Sequence, residues 1–178
     1  VYAGNFGAAQ GADVVLKAAT TLKDEKDIRF IIFGGGAYFE EAKKEAEKLD
    51  NVFIHELMPV DRISEVYSLG DVALITCKPG MGSAGLPSKT WSIMACNTPI
   101  IASFDMDSDL ADVIRNSGAG NCVKPGNVDA LVKAIYDVHA EWKRGIHKPL
   151  DLRAYVKKNA SKEVCVEKYI SILQEYNS

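Results

Sequence analysis

No stretch of this sequence is long and apolar enough to cross a bilayer. Its apolar runs are short, such as FIIF (30–33) and VALIT (72–76). No signal peptide is visible, which predicts a cytoplasmic location. No Lys/Arg-rich run occurs and the net charge is −3. Neutralising a phosphate backbone takes a basic face, so nucleic acid is not an expected partner. The four cysteines, Cys77, Cys96, Cys122 and Cys165, form no C-x-x-C pair and read as buried cytosolic thiols rather than a disulfide or metal framework. Two nucleotide fingerprints also fail. A G-x-G-x-x-G run from Gly34 would need glycine where Phe39 stands, and no acidic residue ends the following strand to hold a ribose. Gly80 and Gly85 have the P-loop separation, but Leu86, Pro87 and Ser88 intervene before Lys89, and proline removes an N–H from the cradle.

What is present is an ordinary globular composition, 47% hydrophobic and 25% charged, over 178 residues. That is enough for one medium domain with its own core. The chain starts in a strand-like VYAG with no initiator Met, which reads as a piece cut at a domain boundary. Strand-like runs at 1–4, 27–36, 51–57, 71–77, 98–103 and 120–126 alternate with helical patterns at 13–22, 39–49, 61–69, 87–96, 108–116 and 128–142. Asp61 or a neighbour is the expected N-cap of the third helix. Continuous apolar runs are how strands buried on both faces read, and parallel strands need helical crossovers. The alternation therefore predicts an α/β, doubly wound (Rossmann-like) parallel sheet of about six strands. Residues 1–142 form this core. A polar connector at 143–150 and helices at 152–159 and 162–176 close the chain, with Val164, Tyr169, Ile172 and Leu173 as an apolar stripe for packing.

In doubly wound sheets ligands bind beyond the carboxyl ends of the strands. Here the post-strand loops are GNFGAAQG (4–11), GGG (34–36), HELMP (55–59) and KPGMGSAGLPSK (78–89). Glycine-dense loops before helix N-termini suit phosphate, because free N–H groups point outward and missing side chains allow close approach. Pro87 fits the first helical position, which puts Ser88 and Lys89 in the first turn. A cation there opposes the helix dipole by roughly 0.3–1 kcal/mol. Lys89 either bends into solvent or converges with the N–H groups of its turn on a bound diphosphate; the glycine-rich approach favours the second.

The stretches YAGNFGAAQGADVVLKAA (2–19), IIFGGGAYFEEAKKEAEKLDNVFI (31–54), GDVALIT (70–76) and GLPSKTWSIMACNTPIIAS (85–103) follow one another in order. Together they resemble the C-terminal, donor-binding domain of a GT-B fold, family 4, retaining glycosyltransferase. The PSK…MAC…PIIAS piece is similar to a subset associated with bacterial capsule, exopolysaccharide and O-antigen assembly. The resemblance implies a nucleotide-diphosphate sugar donor, UDP- or GDP-linked, and transfer to a glycan or lipid-linked acceptor through an N-terminal domain. It implies no metal and no cofactor beyond the donor. Lipid-linked acceptors would bring the full-length enzyme to the inner face of the membrane.

Site roles follow from the same resemblance. The family usually places an Arg and, five residues later, a Lys on the diphosphate; this chain has Asn5 and Gln10. Its two glutamates eight positions apart fall at Ala84 and Ser92, so Ser92 is the expected ribose contact. Lys89, Ser88 and the N–H groups of Gly7 and Leu86 would hold the diphosphate, with Lys78 as a second cation. Met58 and Pro59 would flank the base, with backbone near His55 and Leu57 reading its edge and Gly34 and Gly36 beside it. Asp105, Asp107, Asp109 and Asp112 read as capping and a solvated face, and Trp91 as a packing anchor. Two rivals remain: a GT-B nucleotide-sugar epimerase, and a non-catalytic α/β scaffold domain that has lost its ligand site.

Overall fold

The computed structural model describes residues 1–146 and 150–176; part of the connector, residues 147–149, lies outside them. Six strands, β1 (Tyr2–Asn5), β2 (Phe30–Gly35), β3 (Val52–Glu56), β4 (Ala73–Thr76), β5 (Ile100–Ser103) and β6 (Gly120–Val123), form one parallel sheet in the order β3-β2-β1-β4-β5-β6. The helices are α1 (Asp13–Thr21), α2 (Phe39–Ala46), α3 (Ile63–Ser68), α4 (Lys89–Ala95), α5 (Asp109–Ser117), α6 (Val128–Lys143), α7 (Leu152–Ala160) and α8 (Lys162–Tyr176).

The apolar faces of these helices cover both sides of the sheet. On one side Val15 of α1, Phe39 of α2 and Leu131 of α6 pack with Tyr2 and Ile32. On the other, Val66 of α3, Ile93 and Met94 of α4 and Leu110 of α5 pack with Ala3, Ile75 and Ile100. Strand side chains alternate in facing. Tyr2 and Gly4 therefore share the α1 side and Ala3 faces α4.

The order in which strands are added reverses between β1 and β4, with β2 and β3 laid down on one side and β4 to β6 on the other, which makes this the switch point where such sheets bind ligands. The pairing there is sparse. β1 pairs with β2 along four residues, from Tyr2↔Ile32 to Asn5↔Gly35, but with β4 only through Tyr2↔Leu74. Beyond that pair the two strands part and leave a crevice at their carboxyl ends.

Several local expectations need correction. Asp61 caps nothing: Pro59 leads into a 3-10 turn at Val60–Arg62, and α3 starts after it without a side-chain cap. The fourth helix begins at Lys89, with the Pro87 carbonyl accepting from the Thr90 N–H at 2.9 Å, so Pro87 precedes the helix rather than opening it. Side-chain caps do occur where Ser108, Asn127 and Asp151 start α5, α6 and α7. α7 is fastened to the end of α4 by Asn97, which donates to the Leu150 carbonyl (2.7 Å) and accepts from the Leu152 N–H (2.9 Å). α8 buries no residue among those described, and Tyr169 and Tyr176 are 71% and 91% exposed.

Candidate functional site

Lys89 sets the geometry of the crevice. Its side chain does not bend into solvent. It runs inward from the first turn of α4, and Nζ donates to the Ala3 carbonyl of β1 at 2.7 Å. The ammonium lies 5.2 Å from the centre of the Tyr2 ring, on the face that Tyr2 and Gly4 share. It thus passes through the gap where β1 and β4 separate. Burial pushes the Lys89 ammonium down to about 8, and no neighbouring carboxylate opposes that shift. The group is partly withdrawn from water, so an incoming anion would meet an under-compensated charge. Tyr2 is buried beneath it, its hydroxyl donates to the Asn5 carbonyl at 3.1 Å, and burial pushes that hydroxyl up to about 12.

The loop after β1 closes over the same crevice. Thr76 at the end of β4 donates to the Gln10 carbonyl (2.7 Å), and the Lys78 N–H donates to the Ala9 carbonyl (2.9 Å). Asn5, Gly7 and Gln10 come together: a Cβ on Gly7 would stand 2.6 Å from Gln10 Oε1 and 3.0 Å from Asn5 Nδ2. Gly36 joins them, since a Cβ there would strike the Asn5 side-chain oxygen. Its place is therefore beside Asn5. Gly34 is likewise a packing residue: it is buried, and a Cβ would fall 2.5 Å from the Phe39 ring and 2.8 Å from Phe6.

The loop after β4 is held differently. The Asp105 carboxylate accepts from the Gly80 N–H (3.1 Å) and the Gly82 N–H (2.7 Å). Two N–H groups of the glycine run are thus taken by an internal anion and are not free for phosphate. Asp105 is a loop clamp, while the helix cap is Ser108 and Asp112 pairs with Arg115 at 2.6 Å. Lys78 is exposed and borders a hollow of about 230 Å³ that it shares with Gly7, Tyr38 and the carboxyl-bearing Asp13, Glu41 and Glu45. Its charge therefore has acidic company that Lys89 lacks. Ser88 and Ser92 stand exposed one turn apart at the start of α4, and Leu86 and Trp91 pack against the core on that side.

At the neighbouring strand ends His55 is exposed and its ring lies 5.3 Å from that of Phe33, tilted by 31°. Met58 is partly buried on the core, Leu57 is half exposed and leans over Gly35, and Pro59 is exposed. These residues make an apolar shelf along β2 and β3, with Phe33 as its unforeseen member. Tyr2, Gly4 and Asp105 are the other site residues not anticipated. Tyr2 and Gly4 read as plain strand, and nothing in the sequence links Asp105 to a loop 25 residues earlier.

A cavity of about 390 Å³ lies at the amino ends of the strands, between Val1, Phe30, Val72, Ile135 and His139. It is well separated from the strand carboxyl ends. Among the described residues no His/Cys/Asp/Glu cluster could hold a metal, and no helix is long and apolar enough to cross a membrane.

The family described as "Glycosyl transferases group 1" matches residues 1–163. The putative colanic acid biosynthesis glycosyl transferase WcaI of Escherichia coli (strain K12) is 32% identical over 137 residues, which are 76% of this chain and 34% of that protein. The chain spans about a third of the length of the curated relatives it matches. Among solved structures, HepE of Anabaena in complex with UDP superposes with a TM-score of 0.76 at 14% identity, covering 98% of this chain and 48% of that one. Sucrose-phosphate synthase of Thermosynechococcus elongatus also gives 0.76, at 17% identity, covering 98% and 45%. At these identities the structural likeness speaks for the fold.

Proposed function

The chain belongs to the glycosyl transferases group 1 family, and on that premise we propose that it is the donor-binding domain of a retaining, family 4 glycosyltransferase. The donor is a nucleotide-diphosphate sugar, UDP- or GDP-linked, held in the crevice between the ends of β1 and β4. The observation that carries this reading is the Lys89 ammonium: drawn inward and partly buried at the switch point, bonded to one carbonyl and lacking a carboxylate. A diphosphate supplies the missing counter-charge. The UDP held by HepE, a protein of the same fold, agrees with that choice.

Asn5 and Gln10 converge beside Gly7 and donate hydrogen bonds to the diphosphate from the β1 side, while Lys89 and Ser88 meet it from α4. Ser92, one turn further on, faces the ribose. The shelf of Phe33, His55 and Met58 takes the base. As the bond to the sugar breaks, negative charge grows on the leaving diphosphate, and a fixed ammonium in a poorly hydrated site stabilises it without reorganising. The leaving diphosphate itself assists removal of the acceptor proton. The glycan or lipid-linked acceptor binds a further domain outside this chain, against which the exposed Val166, Tyr169, Leu173 and Tyr176 of α8 pack. Their 3-4-3 spacing lays them along one helical stripe. This chain alone binds donor without turnover.

Calorimetric titration with UDP and GDP tests the reading. Lys89→Ala is expected to weaken the preferred nucleotide by about 1–3 kcal/mol, the range of a charge-assisted hydrogen bond. The ammonium is the binding form, so affinity holds below about pH 8 and falls as pH rises through it. An unchanged affinity in folded Lys89→Ala removes the lysine from the site, and no binding of any nucleotide turns the balance to a scaffold domain.

A further inference from the structure

Resting on the nucleotide site just proposed, we infer that Gly4 is a positioning residue that acts through Lys89: by lacking a side chain, it gives the ammonium its place at the switch point. The space a Cβ on Gly4 would fill is the space Lys89 Nζ occupies, and the two would clash. Backbone angle does not explain this glycine, because Gly4 is not among the residues with positive φ. The reason for glycine is the ammonium.

The surroundings form a berth with three sides. The Ala3 carbonyl accepts one of the three N–H donors, at 2.7 Å. The Tyr2 ring, 5.2 Å away, presents a π-face, which attracts a cation. Gly4 leaves the last side open, where β4 has already parted from β1. The remaining two donors are then held ready for oxygens entering the crevice. A methyl group at position 4 would push the ammonium out of the berth, and the long side chain would carry it away from the bound diphosphate.

Four proteins test this: the parent chain, Gly4→Ala, Lys89→Met and the double variant, each measured for urea midpoint and for UDP affinity by calorimetry. Gly4→Ala is expected to lower the midpoint of the parent and to do so much less in the Lys89→Met background, where the clash is gone. It is expected to weaken UDP by about tenfold, the effect of losing one charge-assisted contact. The double variant should bind no worse than Lys89→Met, because both changes remove the same contact. If Gly4→Ala does not fold, a folded double variant supports the berth, and an unfolded one overturns it, since the glycine then answers to Tyr2, whose hydroxyl lies 3.2 Å from the same Cβ position. Independent, additive losses in UDP affinity, or parent-like binding by Gly4→Ala, overturn the role of Gly4 while leaving the nucleotide site intact. A parent chain that binds no UDP or GDP overturns the nucleotide site, and the role of Gly4 with it.

Discussion

The loops after β1 and β4 read alike in sequence, both rich in glycine and both leading to a helix, yet their glycines serve different physical needs. In the first loop the need its glycines share is space. Gly7 lies under Asn5 and Gln10, and a Cβ on Gly11 would fall 2.8 Å from the Cys77 carbonyl oxygen, which belongs to the backbone and has no way to swing aside. In the second loop the need at Gly80 and Gly85 is backbone angle: φ is +78° and +130°, and nothing lies within 4 Å of either Cβ position. The first loop is fixed by packing against its neighbours. The second stands open at Gly80 and Gly85 and is tied down at the buried Gly82, beside Phe104 and under the Asp105 carboxylate. Glycine density therefore marks a place where the backbone is unusual, and says little about whether the cause is a neighbour, a dihedral angle or a ligand.

Gly11→Ala challenges this contrast most severely. Gly11 combines both needs, with φ of +57° and a backbone atom in the way. A left-handed conformation costs a Cβ-bearing residue 1–2 kcal/mol and overpacking a further 1–3, so a loss of about 4 kcal/mol is expected. A urea midpoint close to the parent's would show that the first loop gives way easily and that packing does not hold it.

Asp105→Ala probes the second loop. It leaves the Gly80 and Gly82 N–H groups without their carboxylate, and hydrogen bonds to charged groups contribute about 2 kcal/mol. The expected signature is local: faster amide exchange at Gly80 and Gly82, with the strands protected as before. Asp105→Asn, which keeps an acceptor oxygen but not the charge, should fall between parent and alanine. Unchanged exchange would mean that the loop holds its shape by dihedral preference alone.

The sheet was legible because its signals are local. Apolar runs ending in turn residues marked all six strands, and their alternation with helical periods led to a parallel order without any long-range information. Element ends were less legible: β6 stops at Val123 and α2 at Ala46, each earlier than its apolar pattern suggested. Asp61 failed as a cap because the chain leaving Pro59 first turns as a 3-10 segment. The site divides in the same way. Asn5, Gly7 and Gln10 lie close in sequence and were found together. Lys89 was singled out by its awkward place at a helix start, but its destination depends on how far β1 and β4 separate, 86 residues apart in the bond it makes to Ala3. The Asp105 clamp joins two loops from different strands, and no local pattern encodes such a pairing.

Gly80→Ala gives the smallest expected effect and the finest test of the contrast. With open space around the Cβ position, only the dihedral penalty applies, about 1 kcal/mol. Asparagine tolerates positive φ better than alanine, so Gly80→Asn should lose less. At Gly11, where φ is +57°, asparagine should recover only the dihedral part of the loss, because it brings the same Cβ against the Cys77 carbonyl. If asparagine brings Gly11 as near to the parent as it brings Gly80, crowding is not the reason for Gly11, and the two loops are built on one principle. If it restores Gly80 and leaves most of the Gly11 loss in place, space and angle are separate causes of two similar-looking glycine runs.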